Sequence, residues 1–207
     1  DHLVSLAIFW GFLCVPFYLM LSKGGDKAAE SAKKALIILF ATDSLMILGI
    51  AIIWLVSKKF WISELDISTN SVAAVSAYLL IISAGFAKAG IMPFHSWIPD
   101  ASENCPSPAI ALVPASLDKL LGIYFLTRVS MDLFTLTSPV KIVLLVIGAI
   151  TIIAAVFAAL IQRQFRRLLG FHAVSQAGYI LIGIGTASPL GIIASLFVAT
   201  ILYVAVS

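Results

Sequence analysis

Charge is scarce in this chain. Of its 207 residues, 13 are lysine or arginine and 10 are aspartate or glutamate, while 61% are hydrophobic. The few basic residues sit in short stretches between apolar runs rather than on one face, which excludes nucleic-acid binding. Cysteine is rarer still: Cys14 and Cys105 are isolated, with no C-x-x-C spacing and no Cys/His cluster. That excludes a disulfide scaffold, an iron–sulfur site and a zinc site, so no metal and no cofactor is expected. Cys14 reads as a small apolar residue. The opening at Asp1 has no methionine and no basic stretch leading to a small-residue cleavage site, so the chain is expected to be a fragment.

What is abundant is long apolar runs. A span needs about 20 apolar residues, and about seven are readable here: 3 to 22, 35 to 57, 71 to 92, 107 to 128, 140 to 161, 168 to 187 and 189 to 206. The expected fold class is an all-α, polytopic membrane bundle forming one transmembrane domain over 1–207. The stretches at 23 to 34 and 162 to 167 hold more basic residues than the opposite face, where Lys58, Lys59, Arg128 and Lys141 lie. The positive-inside rule therefore puts the first set, and with it the 93 to 106 loop, in the cytoplasm.

Against this background, ionisable residues at membrane depth stand out. Lys88 follows the apolar run from Val72 to Phe86, and Lys119 sits between Leu117 and Leu120. A lysine at a bilayer centre costs roughly 2.5 to 3.5 kcal/mol on insertion scales, so each marks a functional site unless it snorkels to a headgroup. Pro93 and Pro114 are expected to remove intrahelical hydrogen bonds to Ala89 and Ile110, breaking helices near the lysines. Such breaks mark ion pathways or packing kinks. Pro99, Pro106 and Pro108 predict an extended loop before the second break.

The stretch AKAGIMPFHSWIPDASENCPSPAIALVPASLDKLLGIYFLTR resembles antiporter-like proton-translocating subunits of respiratory complex I, membrane-bound hydrogenases and Mrp-type cation/proton antiporters. Their pattern is a helix ending in A-K-S/A, then P-F-H-x-W-L-P-D-A, a P-x-P-x-x-A-L turn and a broken helix. The DKLLGIY variant is most similar to subunits of energy-converting hydrogenases and formate-linked complexes. RRLLGFHAVSQAGY is similar to the family's K-R-L-L-A-Y-S-x-V-S-Q-x-G-Y segment. The resemblance implies that this chain is the middle of a fold with about twice as many helices. It also implies a missing acid, because many members follow the tryptophan of the first helix with a glutamate that pairs with the A-K lysine. Here the residues are Trp10 and Gly11, and glycine at that site suggests close helix packing. Relatives continue with further polar helices where this chain ends in SLFVATILYVAVS, so the chain is expected to be either truncated or a degenerate, structural copy.

Four more residues are candidates. Asp43 lies about eight residues into the second span, roughly 12 Å deep; Thr42 and Ser44 are expected to soften its cost, and it serves either structure or proton transfer. Asp118 projects about 100° away from Lys119 around a helix, so it faces a different partner. His95, seven residues after Lys88, suits a proton shuttle or a turn fixed with Trp97. His172, Ser175, Gln176 and Tyr179 share one helix face, lining a hydrated path or a hydrogen-bonded seam. Segment 140 to 161, with Thr151 alone polar at its centre, offers no chemistry.

The expected function is a proton-translocating subunit of a multisubunit respiratory or hydrogenase-type redox complex in a prokaryotic plasma membrane. Lys88, Lys119, His95, Asp43, Asp118 and His172 form its path, and the chain has no redox centre of its own. Its partners are the lipid bilayer, sister membrane subunits and protons, with sodium as the alternative ion. Two other readings stand beside it: a non-conducting scaffold subunit and an Mrp-type exchanger module. With no glutamate at position 11, Lys88 is expected to exchange protons readily unless Asp43 or Asp118 reaches it.

Overall fold

The computed structural model describes residues 2–112 and 117–206, the last of these, from 199 on, by backbone course only. The described chain is helical, with α1 (Leu3–Phe12), α2 (Cys14–Leu21), α3 (Asp26–Ser57), α4 (Val72–Ala89), α5 (Trp97–Asn104), α6 (Ser107–Leu112), α7 (Asp118–Arg128), α8 (Ser138–Leu160), α9 (Phe165–Gly185) and α10 (Pro189–Val206). Among the described residues, five stretches are long and apolar enough to cross a membrane: Leu3–Gly24, Asp26–Ser57, Val72–Asn104, Ser138–Leu160 and Phe165–Gly185. They correspond to five of the seven expected spans; the other two are 107 to 128 and 189 to 206. The 107 to 128 segment contributes helices of only 6 and 11 residues, each too short to span alone. The last segment is helical over 18 residues, Pro189–Val206. Pro114 lies outside the described residues; helix α6 ends at Leu112 and α7 begins at Asp118.

Helix α4 is the axis of the bundle, for every residue from Ile81 to Ala89 is buried. Around it pack Trp10, Met46, Ile50, Phe125, Leu126 and Leu181. The outer faces of α3 and α8 stay apolar, with Ile37, Ile47, Leu55, Ile150 and Phe157 exposed, as helices facing lipid or further protein must be. Small residues let the helices approach. A Cβ on Gly122 of α7 would lie 2.9 Å from the Gly85 carbonyl of α4 and 2.6 Å from the Ala89 nitrogen. Gly148 and Gly178 bring α8 and α9 equally close, each Cβ position meeting the other's carbonyl at 3.1 and 2.8 Å.

Two proline expectations are corrected. Helix α4 is ended not by Pro93 but by Gly90, whose φ of 81° places it in the left-handed region. The Gly90 and Ile91 N–H groups both donate to the Phe86 carbonyl, at 2.9 and 2.8 Å. Pro93 follows in the turn after the helix. Nor is 93 to 106 an extended loop: Trp97–Asn104 is helical, and Pro99 sits in its first turn, where a missing N–H costs nothing.

The loops sort to two ends. At one, Lys34 reaches Asp100 at 2.6 Å, Arg167 bridges Asp100 and Glu103 at 3.2 and 2.7 Å, and the Arg166 guanidinium donates to the Cys105 carbonyl. The 23 to 34, 93 to 106 and 162 to 167 stretches thus share one end, as the basic-residue count implied. At the other, β1 (Ile67–Ser68) pairs in parallel with β2 (Phe134–Thr135), and His2 bridges Trp61.

Candidate functional site

Trp10, Cys14, Phe17 and Leu21 recur at i, i+4, i+7 and i+11, so α1 and α2 present them on one buried face toward α3 and α4. Against that face lies Asp43 of α3, 4% exposed. The Trp10 indole Nε1 donates to Asp43 Oδ1 at 3.0 Å and the Cys14 thiol donates to Oδ2 at 3.2 Å, so each carboxylate oxygen has its own donor. Three expectations change here. Cys14 is a polar link rather than an apolar filler. Thr42 and Ser44 do nothing for Asp43, because both hydroxyls donate to carbonyls of their own helix, at Ile38, Leu39 and Phe40. And Gly11 is no close-packing site: a Cβ there would meet only Asp43 Oδ2, at an ordinary 3.9 Å. Position 11 therefore faces the acid that α3 supplies.

Lys88, in the last turn of α4, is fully buried. Its Nζ lies 3.4 Å from Asp118 Oδ1 and 3.6 Å from Cys14 Sγ, over the rings of Trp10 and Phe17 at 4.9 and 5.3 Å to their centroids. The snorkelling alternative fails for this residue. Its missing partner is found on α7, where Asp118 is likewise fully buried. The result is a continuous line across four helices: Asp43 to Cys14, Cys14 to Lys88, Lys88 to Asp118. A buried lysine and aspartate hold their charges together far more favourably than either would alone.

Lys119, next along α7, points the other way, as one helical step requires. It is 4% exposed, so it too does not snorkel, and its Nζ donates to the Ala173 carbonyl of α9 at 2.5 Å. Among the described residues no carboxylate lies within ion-pair distance of it. Helix α7 thus turns an acid toward α4 and an amine toward α9 in consecutive residues.

The two remaining candidates stay apart from this line. His95 is half-buried beyond the end of α4, its Nδ1 without a hydrogen bond, and among the described residues no bond joins it to Lys88. The turn it occupies is anchored by Trp97, whose Nε1 donates to the Ala87 carbonyl at 2.9 Å. His172 is exposed, with Gln176 Nε2 at 3.4 Å from its ring, and Tyr179 is 48% exposed. His172 and Tyr179 thus lie on the outer side of α9, whereas Ser175 is buried with Val174, Ala177, Gly178 and Leu181 and its hydroxyl donates to the His172 carbonyl at 2.8 Å. Thr151, credited with no chemistry, holds two elements together, because its Oγ1 accepts from the Met92 N–H at 3.3 Å and so ties α8 to the turn after α4.

Comparison with known proteins places these features in a wider set. The family described as NADH:quinone oxidoreductase/Mrp antiporter, TM, matches residues 1–207. NAD(P)H-quinone oxidoreductase subunit 5 of the organellar chromatophore of Paulinella chromatophora is 29% identical over 201 residues, covering 92% of this chain and 30% of its own length. NADH-quinone oxidoreductase subunit N 2 of Solidesulfovibrio magneticus is 31% identical, covering 87% of this chain and 39% of its own length. In fold, the chain is similar to one in the Mrp complex from Dietzia sp. DQ12-45-1b, with TM-score 0.87 and 23% identity over 96% of this chain and 38% of that one. It is also similar to one in respiratory complex I from Thermus thermophilus, with TM-score 0.80 and 22% identity over 99% of this chain and 45% of that one. The chain spans less than half the length of each of these relatives.

Proposed function

We propose, from the premise that the chain belongs to the NADH:quinone oxidoreductase/Mrp antiporter transmembrane family, that it is the central part of a proton-translocating subunit in a multisubunit membrane redox complex. The observation that carries this reading is the pair of lysines at the heart of the bundle: Lys88 held against Asp118 at 3.4 Å, and Lys119 on a carbonyl of α9. Buried ionisable groups are costly in a membrane helix bundle, and a scaffold would be more stable with apolar residues in their place. A charge line that crosses four helices is suited to passing a proton laterally. Within this reading Asp43 sets the charge state of the Lys88 centre, His95 stands at its loop side as an entry group, and His172 lies off the main line. The bilayer and sister subunits are the partners, the plasma membrane of a prokaryote is the setting, and the electron-transfer chemistry belongs to other subunits.

The test is proton translocation by the intact parent complex. Lys88→Ala and Lys119→Ala are each expected to abolish it while assembly and electron transfer persist. Undiminished translocation in both variants would assign the chain a scaffold role. Translocation that follows sodium rather than protons would identify it as an exchanger module.

A further inference from the structure

Between α1 and α7 lies a cavity of about 490 Å³. Its walls are hydrocarbon: Leu6 and Trp10 of α1, Ile50 of α3, Ile81 of α4, and Leu121 and Phe125 of α7. At its inner end Trp10 and Phe125 pack ring against ring, with centroids 4.5 Å apart. The mouth lies at the end of the bundle where β1 pairs with β2. There Leu3 opens α1, its N–H donating to the Phe60 carbonyl at 2.9 Å, and Arg128 ends α7. The polar tips on the lining stand at this end, on Tyr124, which is 62% exposed, and on Arg128, which is half-exposed.

The lining decides what fits. Water needs two to four polar partners, and below the mouth the polar side chain on the wall is the Trp10 indole, whose Nε1 is already committed to Asp43. A helix is too thick: a single turn, about 10–12 Å across and 5.4 Å long, fills roughly 500 Å³, so the cavity cannot admit a crossing helix. A single alkyl chain enters endwise and gains close contacts on all sides. Arg128 then supplies the anchor. Asp132, at 2.6 Å from Nη1, holds the guanidinium at the mouth, and the fork leaves Nη2 and Nε to face a phosphate. We propose that this cavity binds one acyl chain of a phospholipid from the leaflet at the β1–β2 end, with the phosphodiester of that lipid held by Arg128.

The bound chain ends against Trp10, a residue that also belongs to the buried charge centre: its indole donates to Asp43, and Lys88 Nζ lies 4.9 Å from its ring centroid. Hydrocarbon packed on that ring keeps water from this side of the centre and holds the local dielectric low, which strengthens the Lys88 and Asp118 pair. The lipid is thus a structural part of the wall between the bilayer and the ionisable groups. The site does not depend on what those groups translocate.

Photolabelling of the intact parent complex tests it, in vesicles of phosphatidylethanolamine and phosphatidylglycerol that carry a phosphatidylglycerol with a diazirine near the end of one acyl chain. Peptide mass spectrometry after illumination is expected to find adducts on Ile81 and Leu121 inside the cavity as well as on Ile150 and Phe157, which are exposed on α8. Ile81 is 1% exposed, so bulk lipid does not reach it. Leu121→Trp fills the cavity and is expected to remove the adducts there while those on α8 remain. Arg128→Gln, and separately a diacylglycerol probe that lacks the phosphate, are each expected to lower cavity labelling about tenfold, the loss of a charge-assisted hydrogen bond. Arg128→Lys keeps most of it. Adducts on α8 alone in the wild type, or cavity labelling as strong with diacylglycerol as with phosphatidylglycerol, overturn the proposal. If Leu121→Trp does not assemble, Arg128→Gln, at a half-exposed position, decides. A photoreactive p-benzoylphenylalanine in place of Tyr124 separates the possible occupants: a lipid adduct supports the assignment, and a cross-link to another segment of the parent protein or to a sister subunit overturns it.

Discussion

Cys14 is small, fully buried and bonded on both sides, to Asp43 and to Lys88, so its substitutions separate volume from polarity. Cys14→Ala leaves Asp43 Oδ2 without its donor, at a cost of about 1–3 kcal/mol. Cys14→Ser keeps a donor of similar size and is expected to cost less. Thermal unfolding of the parent complex in detergent distinguishes the two, and equal destabilisation would mean the thiol matters only as volume. Lys119→Met makes the opposite case. A thioether of similar length removes a buried amine, so assembly and thermal stability are expected to hold or rise while proton translocation is lost. Cys105 lies outside the membrane-spanning helices, at the charged end, and burial pushes its thiol from 9.0 up to about 11. Folding therefore favours the neutral thiol. Its contribution to stability is complete below pH 9.0 and declines as pH rises toward about 11. A polar alkylating reagent at neutral pH is expected to label Cys105 only after unfolding, checked by mass spectrometry.

At the scale of the element, the position of α7 decides whether the site exists. Asp118 faces Lys88 because Gly122, one turn further along, lets α7 settle against the backbone of α4 at Gly85 and Ala89. Gly122→Ala places a methyl group where a carbonyl and an amide nitrogen already are. It is expected to push α7 outward at a cost of about 1–3 kcal/mol and to open the Lys88–Asp118 pair. Lower thermal stability together with reduced proton translocation is the expected result; a variant indistinguishable from wild type in both would show that the crossing tolerates the methyl and that the pair is not held by this contact. The α8–α9 pair uses the same device at Gly148 and Gly178.

At the scale of the whole molecule, the sequence pattern was enough to establish a helical, multi-pass membrane protein of a particular family. Long apolar runs force helices because a membrane leaves backbone groups no other way to be satisfied, and the motif around Lys88 has a fixed order of residues that survives at low identity. The same pattern marked Lys88, Lys119 and Asp43 as costly and hence as candidates, since that cost depends on residue type and depth alone. It could not say who partners whom. Asp118 to Lys88, Cys14 to Asp43 and Lys119 to the Ala173 carbonyl are contacts between helices far apart in the chain, and they follow from how those helices cross. The exposure of His172 and the half-buried turn at His95 were not legible for the same reason: a helical period says which residues share a face, but which face is buried is settled only when neighbouring helices pack against it.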